Sequence, residues 1–189
     1  MTVLMVFVSI LCGGISYRFR WKLRYLYYMV KVKWHQSEYK SDDTDARLYM
    51  YDAFVSYADE GQTFVHKILL HQLEKVGGIQ LCLHKRNFLP GNDIATNITF
   101  AIQNSQQTIV IMSPDYLASY WCMFENNMAR MESIYERDCE NIPFLVLYKQ
   151  IPACDLPLEL FHCQCYIEYP NAEYGDVIFW EQLKKAIQH

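Results

Sequence analysis

Short apolar runs alternate with amphipathic segments through most of the chain. Five of these runs are too short for helices and are bounded by polar turns, as buried parallel strands are. They lie at residues 51–57, 79–83, 108–112, 142–148 and 165–169. The segments between them carry apolar residues three or four positions apart, which predicts helices. These helices are expected at residues 64–76, 93–104, 114–137 (with a break near Ser119) and 175–188.

Five strands that alternate with helices predict a single α/β domain. The commonest outcome for this count is a flavodoxin-like, doubly wound five-stranded parallel sheet of order 2-1-3-4-5, with helices on both faces. In such sheets, ligands and partners bind at the loops that leave the carboxyl ends of the strands. Those loops are therefore the first places to look for functional residues.

The loop after the second predicted strand has the composition of an interaction surface. Two cations, Lys85 and Arg86, precede the large apolar residues Phe88 and Leu89, and protein interfaces favour arginine beside aromatic and apolar side chains. A Pro-Gly turn follows, and Asp93 is expected to cap the next helix. The structural alternative is that the Pro-Gly pair only shapes a turn and Phe88 packs into the core.

The first 48 residues have a different pattern. Residues 1–17 are almost wholly apolar, and a basic, aromatic stretch follows them. A full membrane span needs about 20 residues, so this run is expected to be all or part of a transmembrane segment. Because the positive charge comes after the apolar run, the rest of the chain is placed in the cytoplasm. The alternative is an amphipathic helix that packs on the domain.

These patterns divide the chain into three parts. Residues 1–17 form the membrane segment, residues 18–48 a basic aromatic juxtamembrane segment with a polar linker, and residues 49–189 the globular domain.

Charge and cysteine content limit the function of the globular part. Six basic residues precede the first acid, Glu38, and the remainder holds 11 basic and 21 acidic residues. An acidic balance of this kind argues against binding nucleic acid through a basic face. The seven cysteines include no C-x-x-C pair, so they are expected to be reduced thiols. Neither a metal nor a cofactor is expected.

The loop sequence resembles a motif of the Toll/interleukin-1 receptor (TIR) domain family. Residues 81–91 are similar to the second signature box, L-C-x-x-x-R-D-x-x-P-G, except that Asn87 stands where the family usually has Asp. Residues 18–25 resemble the juxtamembrane segment of Toll-like receptors. Further similar stretches follow in the order and spacing of the family: the first box at 51–57, an intermediate segment at 112–125, and the third box at Phe179-Trp180.

The resemblance implies a single-pass receptor of innate immunity whose cytoplasmic TIR domain signals by TIR–TIR association. Its partners would be TIR domains of the same or related receptors and cytosolic TIR adaptors. Because Asn87 lacks the usual negative charge, a partner contact or an internal pair with Arg86 that relies on that charge is in question. By position, the partner surface falls on Arg86, Asn87, Phe88, Leu89, Pro90 and Gly91.

Three further residues of these motifs have plainer structural roles. Asp52 is expected to cap local backbone near the first strand. Phe179 and Trp180 are expected to pack into the core, as aromatic residues on a terminal helix usually do.

The resemblance also raises two other functions. Some TIR domains cleave NAD with a glutamate on the helix after the third strand, and Glu125, four residues after Trp121, matches that position. NAD would then be a substrate, with the carboxylate stabilising an oxocarbenium-like transition state. The alternative is a structural glutamate with polar partners, and no Gly-rich phosphate loop favours the enzyme. A soluble TIR adaptor is the remaining alternative.

Overall fold

The computed structural model describes residues 2–37, 49–137, 143–152, 155, 166–170 and 176–188. The chain divides into two compact units, Met1–Ser41 and Asp42–His189. The polar linker predicted at residues 37–47 lies almost wholly outside the described residues, and four of the seven cysteines lie outside them: Cys139, Cys154, Cys163 and Cys165.

The first unit consists of two helices. The apolar run forms α1 (Thr2–Arg18), and the basic aromatic run forms α2 (Arg20–Ser37). Across the part of the chain that is described, no helix combines the length and the apolar character needed to cross a membrane. The transmembrane segment expected at residues 1–17 therefore stays a prediction.

The second unit is built on one five-stranded parallel sheet of order β2-β1-β3-β4-β5, which confirms the predicted topology. Within the sheet, Ala53 of β1 lies opposite Leu81 of β2 and Gln107 of β3. The strands are β1 (Tyr51–Tyr57), β2 (Leu81–Leu83), β3 (Ser105–Met112), β4 (Phe144–Leu147) and β5 (Tyr166–Glu168).

Helices follow the strands along the chain. Helix α3 covers residues 62–76 and continues with π-helical hydrogen bonding after its first turn. The break predicted near Ser119 is present, because its hydroxyl caps the start of a new helix. The other helices are α4 (His84–Asn87), α5 (Ile94–Gln103), α6 (Pro114–Ala118), α7 (Tyr120–Glu136) and α8 (Asp176–Gln188).

Helices cover both faces of the sheet. Alternate residues of a strand point to opposite faces, and one core cluster joins Val55 of β1 to Leu69 of α3 and Leu183 of α8. A second cluster joins Val110 of β3 to Tyr116 of α6. The strands are thus buried from two sides, which accounts for their near-continuous apolar sequences.

Several local expectations are confirmed. Phe179 and Trp180 are buried in the first core cluster. The carboxylate of Asp52 accepts a hydrogen bond from the Gln80 backbone N–H at 2.7 Å, just before β2. The side chain of Asp93 accepts a hydrogen bond from the Thr96 N–H at 2.7 Å and caps α5.

Several boundaries and one element differ from the sequence-based expectation. Strand β2 begins at Leu81 instead of residue 79, and β3 begins at Ser105 instead of residue 108. The polar start of β3 hides its extent, because its pairing with β1 already begins at Ser105 opposite Tyr51. The segment after β2 was expected to be a loop throughout, but its first four residues form the helical turn α4.

Candidate functional site

The predicted partner surface lies at the carboxyl end of β2. Helix α4 leaves the strand, residues 88–93 follow as an irregular loop, and α5 then begins at Ile94. We use the name β2–α5 loop for residues 86–91, which are the last two residues of α4 and the first four of the irregular segment. Leu89 is 59% exposed, and Pro90 and Gly91 are exposed beside it. The tip of the loop is therefore open to solvent.

Arg86 fastens the loop to the end of α3. Its guanidinium donates two hydrogen bonds to the carboxylate of Glu74, at 3.0 Å and 2.7 Å, and one to the backbone carbonyl of Leu81. The hydrogen bond from Arg86 to Glu74 raises the pKa of the arginine further. A paired guanidinium of this kind is held in one orientation, with part of its surface still exposed.

Asn87 connects the loop to two strands. Its Oδ1 accepts hydrogen bonds from the Leu83 backbone N–H at 3.0 Å and from the Arg86 Nε at 3.1 Å. Its Nδ2 donates to the Tyr51 hydroxyl at 3.2 Å. The internal contact with Arg86 is therefore made by an amide oxygen, and the paired carboxylate comes from Glu74 instead.

Phe88 does not belong to the exposed tip. It is half-buried and stacks on Phe54 of β1 with ring centroids 6.3 Å apart. It also packs edge-to-face with His84, with ring centroids 6.2 Å apart. The alternative in which Phe88 folds inward is thus what the structure shows. The exposed apolar surface of the loop comes from Leu89 and Pro90.

Asn97 of α5 holds the backbone of Leu89. Its side chain accepts a hydrogen bond from the Leu89 N–H at 3.2 Å and donates one to the Leu89 carbonyl at 3.0 Å. Gly91 has φ of 95°, a conformation that side-chain-bearing residues adopt at a cost. Asn97 and Glu74 were not predicted from the sequence. Of these two residues, Asn97 could have been noticed in the sequence, because it is a polar residue among the apolar positions of α5.

Two ionisable rings pack beneath the loop and are uncharged near neutral pH. His84 lies against the ring of Tyr57 with centroids 4.5 Å apart, and Tyr57 is hydrogen-bonded to His66 at 2.9 Å. Burial, helped by the charge of Lys85, lowers the pKa of His84 to about 4. Burial also raises the pKa of Tyr57 to about 12. His84 and Tyr57 therefore add no charge to the site near neutral pH.

Glu125 lies inside the domain, on α7. Only 5% of it is exposed. Its Oε2 accepts a hydrogen bond from the Ser56 hydroxyl, which lies 2.7 Å from the hydroxyl of Tyr116. The Tyr116 hydroxyl in turn donates to the Cys122 carbonyl at 2.8 Å. Burial raises the pKa of Glu125 to about 8, against the hydrogen bond from Ser56, which lowers it.

The hydrogen bonds of Glu125 connect several elements of the domain. Trp121, one turn earlier on α7, is 41% exposed, so the two side chains share a helix face without sharing an environment. The hydrogen bonds of Glu125 join α7 to β1 and, through Tyr116, to α6. This arrangement ties α6 and α7 to β1, an inner strand of the sheet.

The fold and the site together define a class of protein. It is a flavodoxin-like parallel α/β domain that holds a partly apolar loop firmly at the carboxyl edge of its sheet. A family model described as "TIR domain" matches residues 50–151, more than half of the chain. The chain belongs to the TIR domain family, which confirms the resemblance of its motifs.

Toll-like receptors are among the curated proteins to which this chain is similar. Toll-like receptor 4 of Pinctada imbricata is 44% identical over 191 residues, which cover 98% of this chain and 21% of that protein. Toll-like receptor 1 of Homo sapiens is 31% identical over 193 residues, covering 99% of this chain and 24% of the receptor. The chain thus spans about a fifth to a quarter of the length of these relatives.

Solved TIR structures share the fold. The TIR domain of the Toll-related receptor TRR-2 from Hydra magnipapillata has a TM-score of 0.60 and 28% identity, with 74% of this chain and 100% of that domain covered. A TIR-STING receptor from C. gigas, solved in complex with 2',3'-cGAMP, has a TM-score of 0.58 and 26% identity. The match covers 79% of this chain and 43% of that one.

Proposed function

We propose that this chain is the signalling module of a Toll-like innate immune receptor and acts by TIR–TIR association. The observation that carries the proposal is the exposed, firmly held tip of the β2–α5 loop. Leu89 and Pro90 offer apolar surface beside the partly exposed Arg86, a combination that is enriched where proteins bind one another. Because Asn97 and Asn87 fix the loop in advance, little conformational entropy is lost on association.

The proposed partners follow from the family. They are TIR domains of the same or related receptors and cytosolic TIR adaptors, and the Toll-like receptor relatives support this choice. The proposal includes attachment to a membrane through the N-terminal unit, with the TIR domain in the cytoplasm. That arrangement is supported by the apolar α1 and by the cations that follow it in the sequence.

Pro90→His tests the proposal. Pro90 is exposed, so the change should leave the melting temperature of the full chain nearly unaltered while it alters the surface of the loop. We expect co-expressed, tagged cytosolic TIR adaptors to precipitate with the unmodified chain and not with the variant. Val177→His on α8, another exposed position, is the matched control and should still recruit them.

The outcomes separate the possible causes. Loss of recruitment in Pro90→His alone supports the loop as the partner surface. Equal recruitment by both variants overturns the assignment. Equal loss in both variants points to a general surface effect and also counts against the loop.

A hydrolase that cleaves NAD is the second candidate, and the raised pKa of Glu125 is the observation that favours it. The burial of Glu125 and its hydrogen bond with Ser56 favour a structural role instead. Incubation of the full chain with NAD tests this candidate. Nicotinamide release that disappears in Glu125→Gln would support it, and no release from a clustered, folded chain would reject it.

A further inference from the structure

Helix α2 carries two apolar faces, and one of them is exposed. Tyr25 and Met29 are buried on the first face. The second face, which we call the exposed stripe, contains residues that are each 45–63% exposed. Their spacing of three, four and seven positions places them along one side of a helix. The exposed stripe consists of Phe19, which directly precedes α2, and of Leu23, Leu26, Tyr27 and Val30.

Cations border the exposed stripe on both sides. At 100° per residue, Arg20, Arg24 and Lys31 fall along one edge and Lys22 along the other. The guanidinium carbon of Arg20 lies 4.8 Å from the centroid of the Tyr17 ring. That of Arg24 lies 5.4 Å from the Trp21 ring. Aromatic rings beside cations suit the headgroup layer of a membrane.

The sequence of α2 fits a helix that lies on a membrane and not one that crosses it. Its 18 residues include five cations and no acid, and charged side chains at the centre of a bilayer are strongly disfavoured. An apolar stripe bordered by lysine and arginine is the pattern of helices that lie in the plane of the membrane surface. α2 also begins as a separate helix, after α1 ends at Arg18.

We propose that α2 lies flat on an anionic lipid leaflet, with the exposed stripe among the acyl chains and its cations against the headgroups. Charge decides between lipid and a second copy of the chain. Two α2 helices that paired through the stripe would bring like charges together along both edges, whereas anionic headgroups neutralise them. This inference goes beyond the proposed function and holds whether or not the β2–α5 loop binds TIR domains.

The depth of spin labels in a vesicle tests the orientation of α2. Labels are placed at Leu23 and Val30 of the full chain through a ketone-bearing amino acid, because the chain has seven cysteines. The two positions are seven residues apart, about 10 Å along a helix axis. In vesicles with about a third phosphatidylserine, a flat helix places both labels at equal depth, about 5–10 Å below the headgroups. A label at Val177 of α8 should stay in water.

Variants test the lipid specificity. Removal of two cations in Arg20→Gln/Arg24→Gln should weaken binding of the full chain to phosphatidylserine vesicles by roughly 10- to 30-fold. Binding to neutral phosphatidylcholine vesicles should change little. Leu23→Gln/Val30→Gln should weaken binding to both vesicles, since apolar area is lost from each. The control Val177→Gln/Ile178→Gln removes exposed apolar residues of α8 and should bind as the unmodified chain does.

Three results would overturn the inference. Labels whose depths differ by about 10 Å would show that α2 crosses the bilayer. Labels that remain in water, or binding that ignores the two arginines, would show that the surface does not take anionic lipid. Spin–spin broadening without lipid would show that a second copy covers the stripe instead.

Discussion

Asn87 shows how a side chain can lose a charge and keep its structural role. Its amide oxygen accepts from Leu83 and Arg86, while its amide nitrogen reaches Tyr51. An aspartate at the same position would keep both acceptor roles and would receive a hydrogen bond from the tyrosine hydroxyl instead. The departure from the family motif thus changes the charge of the loop more than its geometry.

Substitution of Asn87 should separate geometry from charge. Asn87→Asp is expected to change the free energy of unfolding by less than about 1 kcal/mol, because each hydrogen bond has a substitute. Asn87→Ala leaves the Leu83 N–H without its partner and should destabilise the domain by about 1–3 kcal/mol. Urea unfolding followed by tryptophan fluorescence measures both. Equal stability of the two variants would contradict the role of Asn87 in holding the β2–α5 loop against the strands.

Glu125 should make the domain less stable as pH rises. Its pKa is about 8 in the folded state against an ordinary 4.5, so between these values the folded chain holds a proton that the unfolded chain has released. This contribution of Glu125 to the free energy of unfolding is complete below pH 4.5 and is lost as pH rises through 8, by at most about 1.4 kcal/mol per pH unit.

Glu125→Gln removes this titration while keeping a neutral polar group of the same size. The free energy of unfolding of the unmodified chain, relative to the variant, should therefore fall between about pH 4.5 and pH 8. Urea unfolding at several pH values measures the difference, and groups that titrate in both chains cancel. A difference that stays constant or grows with pH would refute the buried, protonated carboxyl.

At the scale of elements, local signals in the sequence were enough to predict the strands of the sheet and the helix caps. They were not enough to predict the long-range contacts. The apolar runs predicted all five strands, Asp93 marked a helix start and Ser119 marked a helix break, because these features depend on neighbouring residues. The bracing of the loop joins Arg86 to Glu74, twelve residues away, and the Glu125 cluster reaches Ser56, 69 residues away. Such pairs depend on how elements pack, which periodicity does not encode.

Gly91 controls the shape of the β2–α5 loop through its backbone. A methyl group added there would meet no atom within 4 Å, so the cost of Gly91→Ala comes from φ of 95° alone. We expect a loss of about 1–2 kcal/mol in the free energy of unfolding. Gly91→Asn should cost less, because asparagine tolerates positive φ. Identical stability of alanine and asparagine variants in urea would argue against this backbone constraint.

At the scale of the whole molecule, the two units carry different kinds of surface. The TIR domain presents a braced loop with an apolar tip, and the N-terminal unit carries an apolar helix and a cationic one. If the N-terminal unit holds many copies on one membrane, even a weak contact between loops is strengthened by the high effective concentration. Family membership and the Toll-like receptor relatives support the part of this account that concerns the TIR domain.

Association between copies of the full chain, measured by energy transfer between donor- and acceptor-labelled chains, tests the central claim most directly. Leu89→Ser removes apolar surface from the loop tip, and Ile178→Ser removes a similarly exposed side chain from α8, at 59% and 62% exposure. Leu89→Ser is predicted to weaken association by roughly tenfold or more, with Ile178→Ser matching the unmodified chain. Equal association by all three chains would contradict the account.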